Sequence, residues 1–161
     1  MTYASQTSVS VERSRAEIER TLIRYGASKF VYGWDREEAV IAFVVHNEKT
    51  DELRQVRFKV HVPSRDDFIR TPTGRRRTAS QVEKEWEQAQ RQRWRALLLV
   101  IKAKLEAIEA GIATFEDEFL AYTMLPSGVT VGEWMHPQLA EAYKDGIMPS
   151  SLKLALPSGD S

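Results

Sequence analysis

The hydrophobic positions change period several times along the chain, and each change marks an element. Val11, Ile18, Leu22 and Tyr25 recur at spacings of seven, four and three, one stripe of an amphipathic helix. Ser10 or Ser14 can open it, since Ser14-Arg15-Ala16-Glu17 has capping-box spacing, and Gly26 suits the position just past its end. A helix is expected over residues 10–25. Residues 1–9, small and polar, read as a flexible N-terminus. The period then falls to two. Residues 28–34 (SKFVYGW) and 39–46 (AVIAFVVH) are rich in β-branched and aromatic side chains and flank the tight connection Asp35-Arg36-Glu37-Glu38. Residues 53–62 (LRQVRFKVHV) end in alternation, with Val56, Phe58, Val60 and Val62 on one face and Arg57, Lys59 and His61 on the other. These three strands read as an antiparallel meander. The middle one is apolar on both faces, so a cover is expected on its second face too.

Residues 63–79 (PSRDDFIRTPTGRRRTA) show no period and form a basic loop. Ser80-Gln81-Val82-Glu83 has capping-box spacing, and no Pro or Gly follows until Gly111, which predicts a helix over 80–112. Its second half carries Leu97, Ile101, Leu105, Ile108 and Ile112 on one stripe and is expected to pack on the sheet. Its first half is polar apart from Val82, Trp86, Ala89 and Trp94. A helix of that length spans roughly 50 Å, more than the sheet needs, so the first half is expected to project or kink and to carry a homo-oligomer through the long helix. Thr114 can cap a short turn over 115–120. Residues 121–125 and 129–134 flank Pro126-Ser127-Gly128 and read as a hairpin. Pro137 suits the first position of a last helix over 137–144, with Gly146 at its end. Residues 148–161 read as a loose C-terminal tail.

The predicted order is α-β-β-β-α-β-β-α, an α+β fold forming a single domain over 10–147. Its antiparallel sheet, a three-stranded meander plus the C-terminal hairpin, is covered by the long central helix and shorter helices. Double-stranded-RNA-binding domains share the α-β-β-β-α order, but their basic and glycine motifs are not visible here, so only topology is shared.

The stretches RTLIRYGASKFVYGW, RQRWRALLLVIKAKLEAIEAGIATFEDEFLAY and LPSGVTVGEWMHPQ resemble a family of bacteriophage and prophage proteins of unknown function, over most of residues 5–150. The resemblance implies a phage origin and an intracellular role during infection. It carries no catalytic assignment.

Composition narrows the chemistry. Of 161 residues, 42% are hydrophobic and 29% charged, the profile of a globular domain. With no cysteine there can be no disulfide, zinc finger or cysteine nucleophile. No apolar run is long enough to span a bilayer, and MTYASQTSVSVERS has no hydrophobic signal core, so the expectation is a cytoplasmic protein, in the host-cell cytoplasm if phage-encoded. Net charge is zero, yet it is unevenly spread. Residues 52–104 hold 14 basic and 6 acidic side chains, whereas residues 105–161 hold 2 basic and 9 acidic. A nucleic-acid partner is therefore a candidate for the middle of the chain. Arg70, Arg75, Arg76 and Arg77 in the loop, with Arg91, Arg93 and Arg95 on the helix and Trp86 and Trp94 among them, combine phosphate neutralisation with aromatic stacking. The sheet is a second candidate surface, if Phe30, Tyr32 and Trp34 share an open face with Arg57, Lys59 and His61.

Other chemistry has less support. Glu106, Glu109 and Asp117 could share a metal ion, but a helix end followed by an acidic first turn places such charges for ordinary reasons. His46, His61 and His136 form no ligand-spaced pair, and no phosphate-cradling glycine loop or serine-hydrolase elbow occurs. No cofactor and no catalytic residue is nominated. The reading is a non-enzymatic phage-type nucleic-acid-binding protein acting in DNA metabolism or recombination. The alternative is an inhibitor of host defence that binds a host protein or a nucleotide signal in a cleft near Tyr32, Trp34 and Trp94. A metal-dependent nuclease is the third.

Overall fold

In a computed structural model, residues 4–47 and 50–147 are described. Helix α1 (Val11–Ile23) precedes strands β1 (Ala27–Asp35), β2 (Glu38–Asn47) and β3 (Glu52–His61), and a 3-10 turn (Arg65–Phe68) leads to the long helix α2 (Ala79–Glu109). A short helix α3 (Phe115–Glu118), a 3-10 turn (Leu120–Tyr122) and helix α4 (Val131–Asp145) complete the order. The fold is α+β, with a three-stranded antiparallel sheet in the order β1-β2-β3. Among the described residues no helix is long and apolar enough to cross a membrane.

Register sorts the strand residues into two faces. Tyr32, Ile41 and Phe58 lie side by side across the sheet, as do Trp34, Ala39 and Val60, while Phe43 pairs with Val56. With α1 and α2 laid over this face, Ile18, Leu22, Phe43, Val56, Trp94, Leu98, Ile101 and Phe119 are wholly buried. Between Ser28 and Val31 the β1 register slips, with Lys29 at φ 53°, so β1 carries a bulge. Phe30 thereby reaches the core and lies 6.0 Å from Phe43, centroid to centroid.

Helix ends follow local chemistry. The Ser10 hydroxyl accepts from the Arg13 N–H and caps α1. For α2 the capping box is Thr78 with Gln81, two residues before the expected Ser80–Glu83 pair. Both boxes have the right spacing; Thr78 prevails because the preceding loop delivers the chain to it in extended conformation. At the other end Gly111 adopts φ 71°, while the Gly111 and Ile112 N–H groups donate to Ile108 and Ala107. This Schellman closure ends α2 three residues before the expected 112.

Three expectations are corrected. Residues 4–9 of the expected flexible N-terminus lie on α2: Ala4 is buried, and the Gln88 and Gln92 amides donate to the Ser5 carbonyl, Gln88 also to that of Thr7. With the 3-10 turn Arg65–Phe68 also packed on α2, the first half of the helix does not project bare, and Val82, Trp86 and Ala89 are half-buried within their own chain. The long helix thus lacks the free apolar stripe on which the oligomer expectation rested. The third correction is the C-terminal hairpin. Thr123 and Met124 run beside β3, the Met124 N–H donating to the Gln55 carbonyl at 2.8 Å, but the chain then turns tightly at 125–128 and enters α4 at Val131. Thr130 and Glu133 form a capping box, so helix prevails over the β-favouring valines, and Pro137 lies inside α4 rather than at its start. The tail expected at 148–161 falls outside the described residues.

Gly132 is required by this arrangement. A Cβ built there meets the backbone oxygen of Ala121 at 2.9 Å. Gly132→Ala is expected to lower stability by about 1–2 kcal/mol, because overpacking against backbone outweighs the helix-propensity gain of at most about 1 kcal/mol. A urea midpoint equal to or above wild type would show that the 3-10 turn simply moves aside.

Candidate nucleic-acid interface

The loop read as aperiodic contains a braced finger. The Gly74 N–H donates to the Thr71 carbonyl at 2.8 Å, the Thr71 N–H to the Arg75 carbonyl at 2.8 Å, and Arg70 bridges Arg76 in antiparallel fashion. Pro72 at the second position and Gly74 at the fourth, with φ 84°, are the residues a type I turn followed by a left-handed residue selects. The Thr71 hydroxyl adds a bond from the Arg75 N–H at 3.0 Å. Arg77 holds the base of the finger: its backbone N–H donates to Ile69, and its guanidinium donates to the Phe68 and Arg70 carbonyls at 3.0 and 2.8 Å. Arg77 is a brace, and Arg70 partly so, donating to the Gly74 carbonyl at 3.0 Å. Arg75 and Arg76 are exposed and make no ion pair among the described residues. The finger springs from the N-terminal end of α2, where the helix dipole adds positive potential.

The helix arginines divide. Arg93 is exposed and unpaired among the described residues. Arg91 donates to the Gln88 side chain at 2.7 Å and lies 4.0 Å from Glu87. Arg95 pairs with Glu17 at 3.2 Å, and Glu17 also accepts from Lys102, whose hydrogen bond holds this carboxyl below its usual range. Trp94 cannot stack on a base. It is wholly buried, 6.0 Å from Tyr32 between ring centroids, with the Arg15 guanidinium 4.3 Å from its own ring. Arg15 also lies 5.1 Å from the Tyr32 ring. The cleft expected near Tyr32 and Trp94 is therefore filled by Arg15, and of its three aromatics Trp34, 56% exposed, is the one that reaches solvent.

The sheet platform does not assemble either. Tyr32 and Trp34 share the helix-covered face, whereas Arg57 aligns with Val31 and Ala42, and Lys59 with Gly33 and Val40, on the opposite face. Arg57 and Lys59 are committed to Glu133 at 2.6 and 3.1 Å, and Lys59 also to Asp35 at 3.0 Å. The hydrogen bond that Lys59 donates to Asp35, followed by the one it donates to Glu133, raises the Lys59 pKa. These two cations hold the start of α4 against the sheet and do not join the finger.

Nor do the acidic residues converge. Glu106 and Glu109 line an open groove of about 620 Å³ between α1 and α2, where the neighbouring Glu109 carboxylate pushes the Tyr25 pKa up to about 12. Asp117 accepts instead from the Thr114 hydroxyl at 2.8 Å, at the start of α3. Among the described residues no three His, Asp or Glu side chains lie where they could share a metal ion.

Sequence reasoning named Trp86 among the helix arginines but passed over Arg65. The Arg65 guanidinium lies 3.5 Å from the centroid of the Trp86 ring and forks onto Glu83 at 2.6 and 2.8 Å. Thr-Pro-Thr-Gly was the available signal for the finger; nothing local signals the Arg65–Trp86 stack, whose partners are 21 positions apart. Comparison of the chain with protein-family models, curated proteins and solved structures gives no match in any of the three.

Proposed function

We propose that this protein binds nucleic acid through the arginine finger, as a phage-type factor in DNA metabolism or recombination. The observation that carries the reading is the state of Arg75 and Arg76: both are exposed on a hydrogen-bonded hairpin, and neither is neutralised by a carboxylate among the described residues. Elsewhere this chain pairs its cations freely, as at Arg57, Lys59, Arg65, Arg95, Lys102 and Lys104. Leaving two adjacent arginines unpaired on a rigid tip suits phosphate contact, where guanidinium groups displace condensed counterions. Arg70 and Arg93 add charge, and Arg77 keeps the tip in shape.

Anisotropy titrations of labelled duplex and single-stranded oligonucleotides test it. Each lost phosphate contact lowers the salt slope by about 0.9 on duplex and about 0.7 on single strands. For Arg75→Ala/Arg76→Ala the slope should fall by about 2 on duplex. Wild type should then lose roughly tenfold more affinity than the variant between about 50 and 200 mM salt. Wild-type protein that binds neither oligonucleotide at the lower salt, or a double variant with an unchanged slope, overturns the proposal.

A further inference from the structure

On the stretch of chain that leads into the finger lies an open groove of about 300 Å³, lined by Trp34, Trp86 and Arg65 over Val62 and Pro63, with Glu37 and Asp66 also on its wall. We infer that this groove takes an unpaired nucleobase, so that the polymer on the finger is single-stranded; the inference rests on the nucleic-acid reading and deepens it. Trp34 is 56% exposed although it belongs to the helix-covered face of the sheet, because it lies at the end of β1 under the polar half of α2. An indole left open there is a stacking surface. Trp86 supplies a second one, already layered with the Arg65 guanidinium at 3.5 Å, and a flat cation layered on a ring is itself a platform for a base. The volume stands at the lower end of ligand sites, roughly 300 Å³, too small for a duplex and suited to a base with its sugar.

The wall is not uniformly cationic, and this sets the preference. Glu37 and Asp66 are exposed, and neither carboxylate makes a hydrogen bond or ion pair among the described residues. Carboxylates accept from exocyclic amino groups, which cytosine, adenine and guanine carry and thymine and uracil lack. The phosphates meanwhile have the finger, which begins five residues after Arg65, within roughly 18 Å of chain even at full extension. Base and backbone of one strand can therefore be held at once, the base in the groove and phosphates further along the strand at Arg75 and Arg76.

The test compares fifteen-nucleotide oligo-dC and oligo-dT by anisotropy, with wild type, Trp34→Ala, Trp34→Phe and Glu37→Gln/Asp66→Asn. Removing one stacked base is expected to weaken oligo-dC binding roughly five- to hundredfold in Trp34→Ala and much less in Trp34→Phe, with the salt slope unchanged in both. Wild type should prefer oligo-dC to oligo-dT, and the carboxylate variant should lose that preference. Thermal unfolding of each variant, expected at the wild-type temperature, confirms that only the groove was altered. If Trp34→Ala binds oligo-dC like wild type while Arg75→Ala/Arg76→Ala is weakened, the groove inference fails and the finger reading stands. If wild type prefers duplex or fails to discriminate oligo-dC from oligo-dT, the inference fails in the same way. If wild type binds no oligonucleotide, both fall together.

Discussion

Trp94→Ala is expected to lower the unfolding free energy by about 3–5 kcal/mol, the usual cost of deleting a buried tryptophan. Measured against a total of about 5–15 kcal/mol for a domain, this is a large fraction and should displace the thermal midpoint by roughly 10 °C. The size of the effect follows from position. Trp94 is wholly buried where α1, α2 and β1 meet, and both it and Tyr32 flank Arg15. Truncation would open a cavity and leave the guanidinium without one of its two aromatic neighbours. Trp94→Phe should cost far less. The indole N–H has no hydrogen-bond partner among the described residues, so phenylalanine removes a buried donor that makes no bond to them. Chemical denaturation measures both variants. Equal losses would show that the indole N–H matters after all. The same pair separates fold from function, because Trp94→Phe is expected to bind oligonucleotides like wild type.

Glu133→Ala is expected to release α4. The Glu133 carboxylate accepts from the Thr130 N–H at 2.8 Å, closing the capping box, and receives Arg57 and Lys59 from the far face of the sheet. Among the described residues α4 has no buried side chain and packs on no element but the 3-10 turn Leu120–Tyr122, so this carboxylate is its principal tie to β3. The side chain is 35% exposed, and solvent screening reduces what each ion pair is worth. Cap and pairs together should contribute about 1–2 kcal/mol. The effect on α4 itself should be larger than on the domain, seen as faster amide exchange and proteolysis after residue 130. Glu133→Gln should fall between, since a glutamine oxygen can keep the cap but not the charge.

The same site sets an acid limit. The backbone hydrogen bond from Thr130, followed by Lys59, lowers the Glu133 pKa, and the hydrogen bond from Lys59 lowers that of Asp35. A carboxyl whose folded pKa lies below its unfolded value contributes fully above the unfolded pKa, and its contribution is lost as pH falls through the folded one. Stability should therefore be level from neutrality down to the ordinary carboxylate range near 4.5 and decline below it, with α4 exchanging first. In Glu133→Gln that decline should be shallower. An identical acid profile would detach Glu133 from the effect.

Legibility followed the range of the interactions. The three strands and their pairing order could be read because alternation, a tight Asp35–Glu38 turn and β-branched residues all act over a few positions. The second half of α2 was legible from one apolar stripe, and its end from Gly111. The expected C-terminal hairpin was not found, because Thr130 and Glu133 close a helix cap within a valine-rich run and the glycine at 132 lets the helix approach Ala121. Among candidate site residues, Arg75 and Arg76 were recognisable as charge in a loop. The roles of Arg77 as brace, Arg57 and Lys59 as anchors of α4, and Trp94 as core were not.

Periodicity, charge distribution and turn residues, which are properties of neighbouring positions, determined the α+β class, the meander, the long helix and the basic middle of the chain. Which cations remain free and which aromatics remain open was decided by tertiary structure alone. A guanidinium is neutralised by whatever carboxylate the fold brings within 4 Å, and an indole is buried or bare according to which element lies over it. Glu133 reaches Arg57 across 76 positions, Arg15 reaches Trp94 across 79, and Trp34 stays exposed because the part of α2 above it is polar. Contacts at such separations leave no periodic trace in the chain, since their geometry exists only once the sheet and its helices have closed on one another.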